Sequence, residues 1–95
     1  NLTPNSFGKT INSGAPQLLL STNSLRSRLT FSNNGESDIT FAYGNQSDCQ
    51  IGQSPILKPG QTWNDEMQSL IYQQSLWAVA HEGSNLVTGI EGSLN

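Results

Sequence analysis

Two stretches of strict period-two alternation constrain this chain more than anything else in it. In Leu25-Arg26-Ser27-Arg28-Leu29-Thr30-Phe31-Ser32, the residues Leu25, Leu29 and Phe31 fall on one side of an extended backbone, with Arg26, Arg28, Thr30 and Ser32 on the other. In Asp38-Ile39-Thr40-Phe41-Ala42-Tyr43-Gly44, the residues Ile39, Phe41 and Tyr43 alternate with polar or small ones. Successive side chains of a strand point to opposite faces, so this pattern with β-branched and aromatic residues predicts half-buried β-strands. Asn33-Asn34-Gly35-Glu36-Ser37 lies between them, and Asn-Gly readily supplies the positive φ angles of a tight reversal. The expectation is a β-hairpin.

The remainder fits the same class. Pro59-Gly60 predicts a turn, because Pro presets φ and Gly accepts a positive one. Ser75 to His81 is apolar or small on both faces, as in a central strand covered on each side. Gly83-Ser84-Asn85 predicts a second hairpin turn, followed by a last strand from Leu86 to Glu91. Residues 45–54 read as a polar loop or bulged edge. The stretch 65–72 is too short for an independent helix, and the favoured reading is a strand at 61–64, an irregular connection and a brief strand at 69–72. The whole predicts an all-β fold, a small antiparallel β-sandwich or barrel-like domain of about six to eight strands. Residues 25–95 form that domain. Residues 1–24, broken by Pro4, Gly8, Gly14 and Pro16, form an extended N-terminal arm or edge strand.

Composition narrows the function. Ser, Thr, Asn and Gln make up 38 of the 95 residues, while charged residues reach only 12%, about half the usual share. With four bases against seven acids, there is no cluster of Lys and Arg to displace counterions from phosphates, so neither nucleic acid nor an anionic membrane is an expected partner. No apolar run exceeds the five residues 76–80, against the roughly 20 of a membrane helix, and no signal-peptide pattern opens the chain. The chain starts at Asn1 and its only Met is Met67, as expected of a processed product, a fragment or a trimmed chain. A small domain without disulfide or metal commonly gains support from oligomerisation or a larger body.

Catalytic chemistry finds little material. His81 is the single histidine, and no Gly-x-Ser-x-Gly elbow accompanies it. Asp65 and Glu66 are adjacent, so on a strand they diverge rather than flank a scissile bond. Cys49 is the single cysteine, which excludes an internal disulfide and a cysteine zinc site. It follows Asp48, whose charge disfavours a thiolate, and is expected to be a partly exposed free thiol. No catalytic residue, metal or cofactor is expected. Leu18, Leu19, Leu20, Arg26 and Arg28 are candidate interface residues. The arginines, on one strand face, fit a solvated surface, ion pairs with a neighbouring strand, or a subunit contact. Trp63 and Tyr72 are candidate glycan contacts, since aromatic faces stack on sugar C–H faces, although aromatics in a small sandwich also fill the core.

The order of motifs carries a resemblance. Arg28-Leu29-Thr30-Phe31-Ser32-Asn33-Asn34-Gly35 leads to Asp38-Ile39-Thr40-Phe41, then to Ile56-Leu57-Lys58-Pro59-Gly60-Gln61, Leu76-Trp77-Ala78-Val79-Ala80 and a strand ending Gly89-Ile90-Glu91. Over residues 25–92 this resembles a loose group of small β-sandwich structural proteins of tailed bacteriophages. The resemblance implies a non-enzymatic virion component, such as a capsid decoration, head-fibre or tail-associated protein, assembled in the host cytoplasm. Its partners would be other virion subunits and further copies of itself, with the arm contacting a neighbour and Arg28 and Asn33 in structural roles. The other function in view is a carbohydrate- or receptor-binding module of a virion, directed at a host-surface glycan.

Overall fold

The computed structural model describes residues 2–65 and 72–94. Among these residues eight strands form: β1 Leu2–Asn12, β2 Gln17–Leu20, β3 Arg26–Asn33, β4 Ile39–Tyr43, β5 Ile56–Leu57, β6 Thr62–Asp65, β7 Leu76–Ala80 and β8 Ser84–Leu94. They make two four-stranded sheets, ordered β1-β8-β3-β6 and β2-β7-β4-β5, with every pair antiparallel. The sheets face each other across Ile11, Leu20, Leu29, Phe31, Ile39, Phe41, Leu57, Leu76 and Val87. The all-β sandwich expected from the alternation is the observed fold. Apart from β4 and β5, successive strands switch sheets, the wrapping of an eight-stranded jelly roll. The expected strand at 69–72 falls largely outside the described residues.

Neither expected hairpin forms. β3 and β4 belong to different sheets, as do β7 and β8. Alternation reports which side of a strand is apolar, but not which sheet the strand joins. The 34–38 segment is a corner between layers, and Gly35 does not have a positive φ. Two buried asparagines build this corner. The Asn33 amide donates to the carbonyls of Ser37 (2.8 Å) and Leu57 (3.0 Å), and its oxygen accepts from the Gly35 N–H at 2.9 Å. The Asn85 oxygen accepts from the N–H groups of Glu36 (2.9 Å) and Ser37 (3.2 Å). A Cβ on Gly35 would fall inside the Asn85 side chain, so Gly serves close approach here. Lys58-Pro59-Gly60-Gln61 does turn as expected, with Gly60 at φ 80° and Gln61 N–H bonded to the Lys58 carbonyl at 3.0 Å.

Bulges displace two further expectations. The β3–β8 register shifts between Arg26 and Arg28, so the side chains before the shift exchange faces. Arg26 is 2% exposed and Leu25 is 53% exposed, the reverse of uninterrupted alternation. The β2–β7 register shifts between Leu18 and Leu20. Leu19 and Leu20 are consequently both buried in the core, and neither offers an interface. Residues 2–12 form an edge strand paired with β8 along their whole length, and Ile11 enters the core.

The loop after β4 folds over the outward side of the second sheet. There Cys49 is buried, its Sγ facing the carbonyls of Thr40 (3.5 Å) and Trp77 (3.7 Å). The partly exposed thiol expected from its polar neighbours is not found, because the loop turns Cys49 inward.

Candidate functional site

One side of the sandwich, where β4 and β6 come together from opposite sheets, gathers five of the seven aromatic residues. Phe31 and Phe41 meet edge to face with centroids 5.2 Å apart, and Phe41 contacts Trp63 at 5.2 Å. Farther out, Tyr43 and Tyr72 pack edge to face at 5.1 Å. Such pairs contribute about 0.5–1.5 kcal/mol beyond their burial. Phe41, Ala42, Tyr43, Pro55, Trp63 and Tyr72 line a cleft of about 240 Å³. Trp63 and Tyr72, the two candidate glycan contacts, thus line the same cleft.

Polar groups stand at the edge of this cleft. The Tyr43 hydroxyl donates to Asp65 Oδ2 at 3.0 Å and accepts a longer contact from Trp63 Nε1 at 3.4 Å. Burial, reinforced by the Asp65 carboxylate, holds the phenol well above its ordinary range despite the Trp63 donor. Tyr43 is therefore a neutral hydrogen-bonding group, not a phenolate base. The arrangement offers aromatic faces and a few fixed polar atoms, which suits binding.

Arg26 positions Tyr72 without entering the cleft. Its Nε meets Glu91 Oε2 at 2.6 Å, its Nη1 donates to the carbonyls of Tyr72 and Gln74 at 2.8 Å each, and its Nη2 donates to the Ser21 carbonyl at 2.8 Å. The Gln73 side-chain amide returns a bond to the Arg26 carbonyl at 3.2 Å. The interface role expected for Arg26 is replaced by an internal one, because the bulge turns its side chain inward. No signal in the sequence marked Glu91 as its partner; the two are 65 positions apart.

Arg28 remains on the outward face of the first sheet. It borders a groove of about 300 Å³ with Leu2, Pro4, Thr30 and Ile90, floored by Gly92. The register aligns Leu2, Pro4, Ser6, Gly8 and Thr10 of β1 with Leu86, Thr88, Ile90, Gly92 and Leu94 of β8, and beyond them Arg28, Thr30 and Ser32. Asn64 and Thr62 complete the face and bond to Thr30 (2.7 Å) and Ser32 (2.6 Å). Arg28 is the only charged residue among these positions.

His81 shares a 2.7 Å hydrogen bond with Thr40 Oγ1. Burial pushes the Cys49 thiol up to about 11, against the activation a nucleophile requires. Among the described residues, no three His, Cys, Asp or Glu side chains converge to hold a metal ion.

No protein-family model matches this chain, and no curated protein matches its sequence. Among solved structures, the crystal structure of PirA is similar in fold, with a TM-score of 0.57 and 14% sequence identity over 92% of each chain.

Proposed function

We propose that this chain is a structural subunit of a bacteriophage particle, with no catalytic role, working through contacts with other virion proteins. The observation that carries this reading is the outward face of the first sheet. Interface cores are poor in charge and rich in Arg. Four strands here present one charged side chain, Arg28, among hydroxyls, amides and the exposed Leu2, Leu86, Ile90 and Leu94. The motif order over residues 25–92 supports the phage assignment. Jelly rolls recur in capsid proteins, which adds support by fold analogy alone. Localisation on the virion, as a decoration, head-fibre or tail-associated protein, follows from the same reading.

The test is localisation of the labelled chain on purified particles by electron microscopy, with the Ile90→Asp variant in parallel. Wild-type protein should decorate particles in many copies, and a charge in the middle of the face should abolish incorporation while leaving the thermal melt intact. Absence of the wild-type chain from particles, or normal incorporation of Ile90→Asp, would overturn the reading.

The aromatic cleft favours a second reading, a glycan-binding module on the same particle. Trp63 and Tyr72 would supply stacking faces, and Tyr43 with Asp65 the oriented hydrogen bonds. Binding on a glycan array that disappears in Tyr72→Ala, with unchanged stability, supports this reading; an array with no hits for wild-type protein removes it.

A further inference from the structure

We infer that the free edge of β1 is a strand-pairing site for a second copy of this chain, joined antiparallel about a two-fold axis centred on Ser6. This inference names the partner for self-association within the reading above and rests on it, but a solution experiment tests it apart from any particle.

The register gives the backbone directions. β1 and β8 pair without a shift over eleven residues, Leu2 opposite Leu94 through Asn12 opposite Ser84. Leu94 N–H donates to the Leu25 carbonyl, and the Leu86 carbonyl accepts from Asn34 N–H, at 2.8 Å each. Both even-numbered residues of β8 therefore direct their backbone groups away from β1. In an antiparallel ladder, directly opposed residues alternate between hydrogen-bonded and non-bonded pairs. The even-numbered residues of β1 thus turn their N–H and C=O groups outward. Asn12 confirms this direction, because its N–H and C=O are met from outside by Oε1 (2.5 Å) and Nε2 (3.1 Å) of Gln17. Pro4, which has no N–H, also occupies an outward position.

Natural edges are shielded by brevity, Pro, charge or bulges. The other three edges here are short: β6 and β2 have four residues each and β5 has two. β1 has eleven. Gln17 caps its far end, Pro4 removes one donor, and the Lys9 ammonium is bonded back to the Leu18 carbonyl. Leu2, Ser6, Gly8 and Thr10 keep an outward backbone edge that no other strand among the described residues pairs. An extended backbone is the partner that satisfies such an edge.

Side chains select a second copy and its register. On the outward face, exposed Leu2 and Leu94 lie at one end of the β1–β8 ribbon and exposed Leu86 lies at the other, beside Thr10. With Ser6 facing Ser6 across the axis, Leu2 of each copy faces Thr10 of the other. Leu94, Leu2, Thr10 and Leu86 then form one row across the joined sheets, repeated by symmetry. Gly8 faces Pro4, whose carbonyl still accepts the Gly8 N–H. Lys9, the only charge on β1, faces Thr3, so no like charges are opposed. The contact is isologous and closes on itself, as a two-fold interface must.

The test is sedimentation and light scattering over a micromolar-to-millimolar series, with three variants. Wild-type protein should reach twice the 10.3 kDa chain mass as concentration rises. Ser6→Pro removes the central donors and places two rings against each other, yet spares the β1–β8 ladder, whose bonds come from odd-numbered residues. It should stay at the single-chain mass with a retained thermal melt. Ser6→Cys should form an interchain disulfide under mild oxidation, since directly opposed bonded residues lie about 5.5 Å apart; Thr10→Cys should not. A wild-type chain that is monomeric throughout the series, a Ser6→Pro variant that still dimerises, or equal crosslinking at both positions would overturn the proposal. Loss of particle binding with dimerisation intact would count against the virion reading alone.

Discussion

The Arg26 guanidinium and the Glu91 carboxylate meet at 2.6 Å inside the molecule, with side chains only 2% and 10% exposed. They come from neighbouring strands, next to the bulge that turns Arg26 inward. Three backbone carbonyls take three of the four remaining Arg26 N–H groups, so the charge is paired and every guanidinium nitrogen is hydrogen-bonded. Removing one member of such a pair leaves a buried charge, at a cost of about 3–5 kcal/mol. Arg26→Ala and Glu91→Ala should each lose a few kcal/mol in urea titration. The double variant should lose clearly less than their sum, because the two act through one contact.

Gly89 admits no side chain. A Cβ there would press on the Thr30 carbonyl and stand 2.7 Å from Phe7 Cζ and 2.8 Å from Phe31 Cβ. Gly89→Ala should therefore force β3 and β8 apart and lower stability by about 1–3 kcal/mol. Amide exchange, faster at Phe31 and Phe7 than at Ile39, would place the damage in the first sheet.

Cys49 should be chemically quiet and make stability fall at alkaline pH. Its folded pKa of about 11 lies above its ordinary 9.0 because burial disfavours the thiolate. The unfolded chain therefore loses this proton first, and stability present below pH 9.0 is lost as pH rises toward about 11. Cys49→Ala should remove the part of the decline that begins near pH 9.0; burial of Tyr43 adds a decline at higher pH. An aromatic disulfide reagent at neutral pH should label urea-unfolded protein quickly and folded protein slowly.

Deleting residues 1–24 should abolish folding rather than free a body from an arm. The deletion removes Ile11, Leu19 and Leu20 from the core, Phe7 from its packing against it, and the partner of β8 along eleven residues. Circular dichroism of the truncated chain should show loss of the cooperative thermal transition.

The sequence made the strands legible because period two is a direct image of one apolar face: Leu29 and Phe31, and Ile39 and Phe41, all point into the core. It left the connections unreadable, because Asn33-Asn34-Gly35 has the composition of a hairpin loop while Asn33 and Asn85 bind it as an interlayer corner. Bulges at Ser27 and Leu19 erased the face assignment locally, which is why Arg26 and Leu25 exchange places. For the cleft, Trp63 and Tyr72 could be named as aromatics in polar surroundings. Their meeting depends on β6 crossing to the first sheet and on Arg26 holding the 72–74 backbone, and neither leaves a local pattern.

The pairing of β1 with β8 also bears on how the chain acquires its fold. The first sheet has its edge strand from one end of the sequence and the neighbour of that strand from the other, with Leu2 opposite Leu94. Almost every other pairing also joins distant segments, so loop closure must be completed before most contacts stabilise anything. Slow folding, in the millisecond-to-second range typical of high contact order, is the expected result. The adjacent ends offer a way to change it. A circular permutant that links them by a short turn and opens the chain within the 50–54 loop would convert the β1–β8 pair into a local hairpin, and should fold faster to the same sandwich.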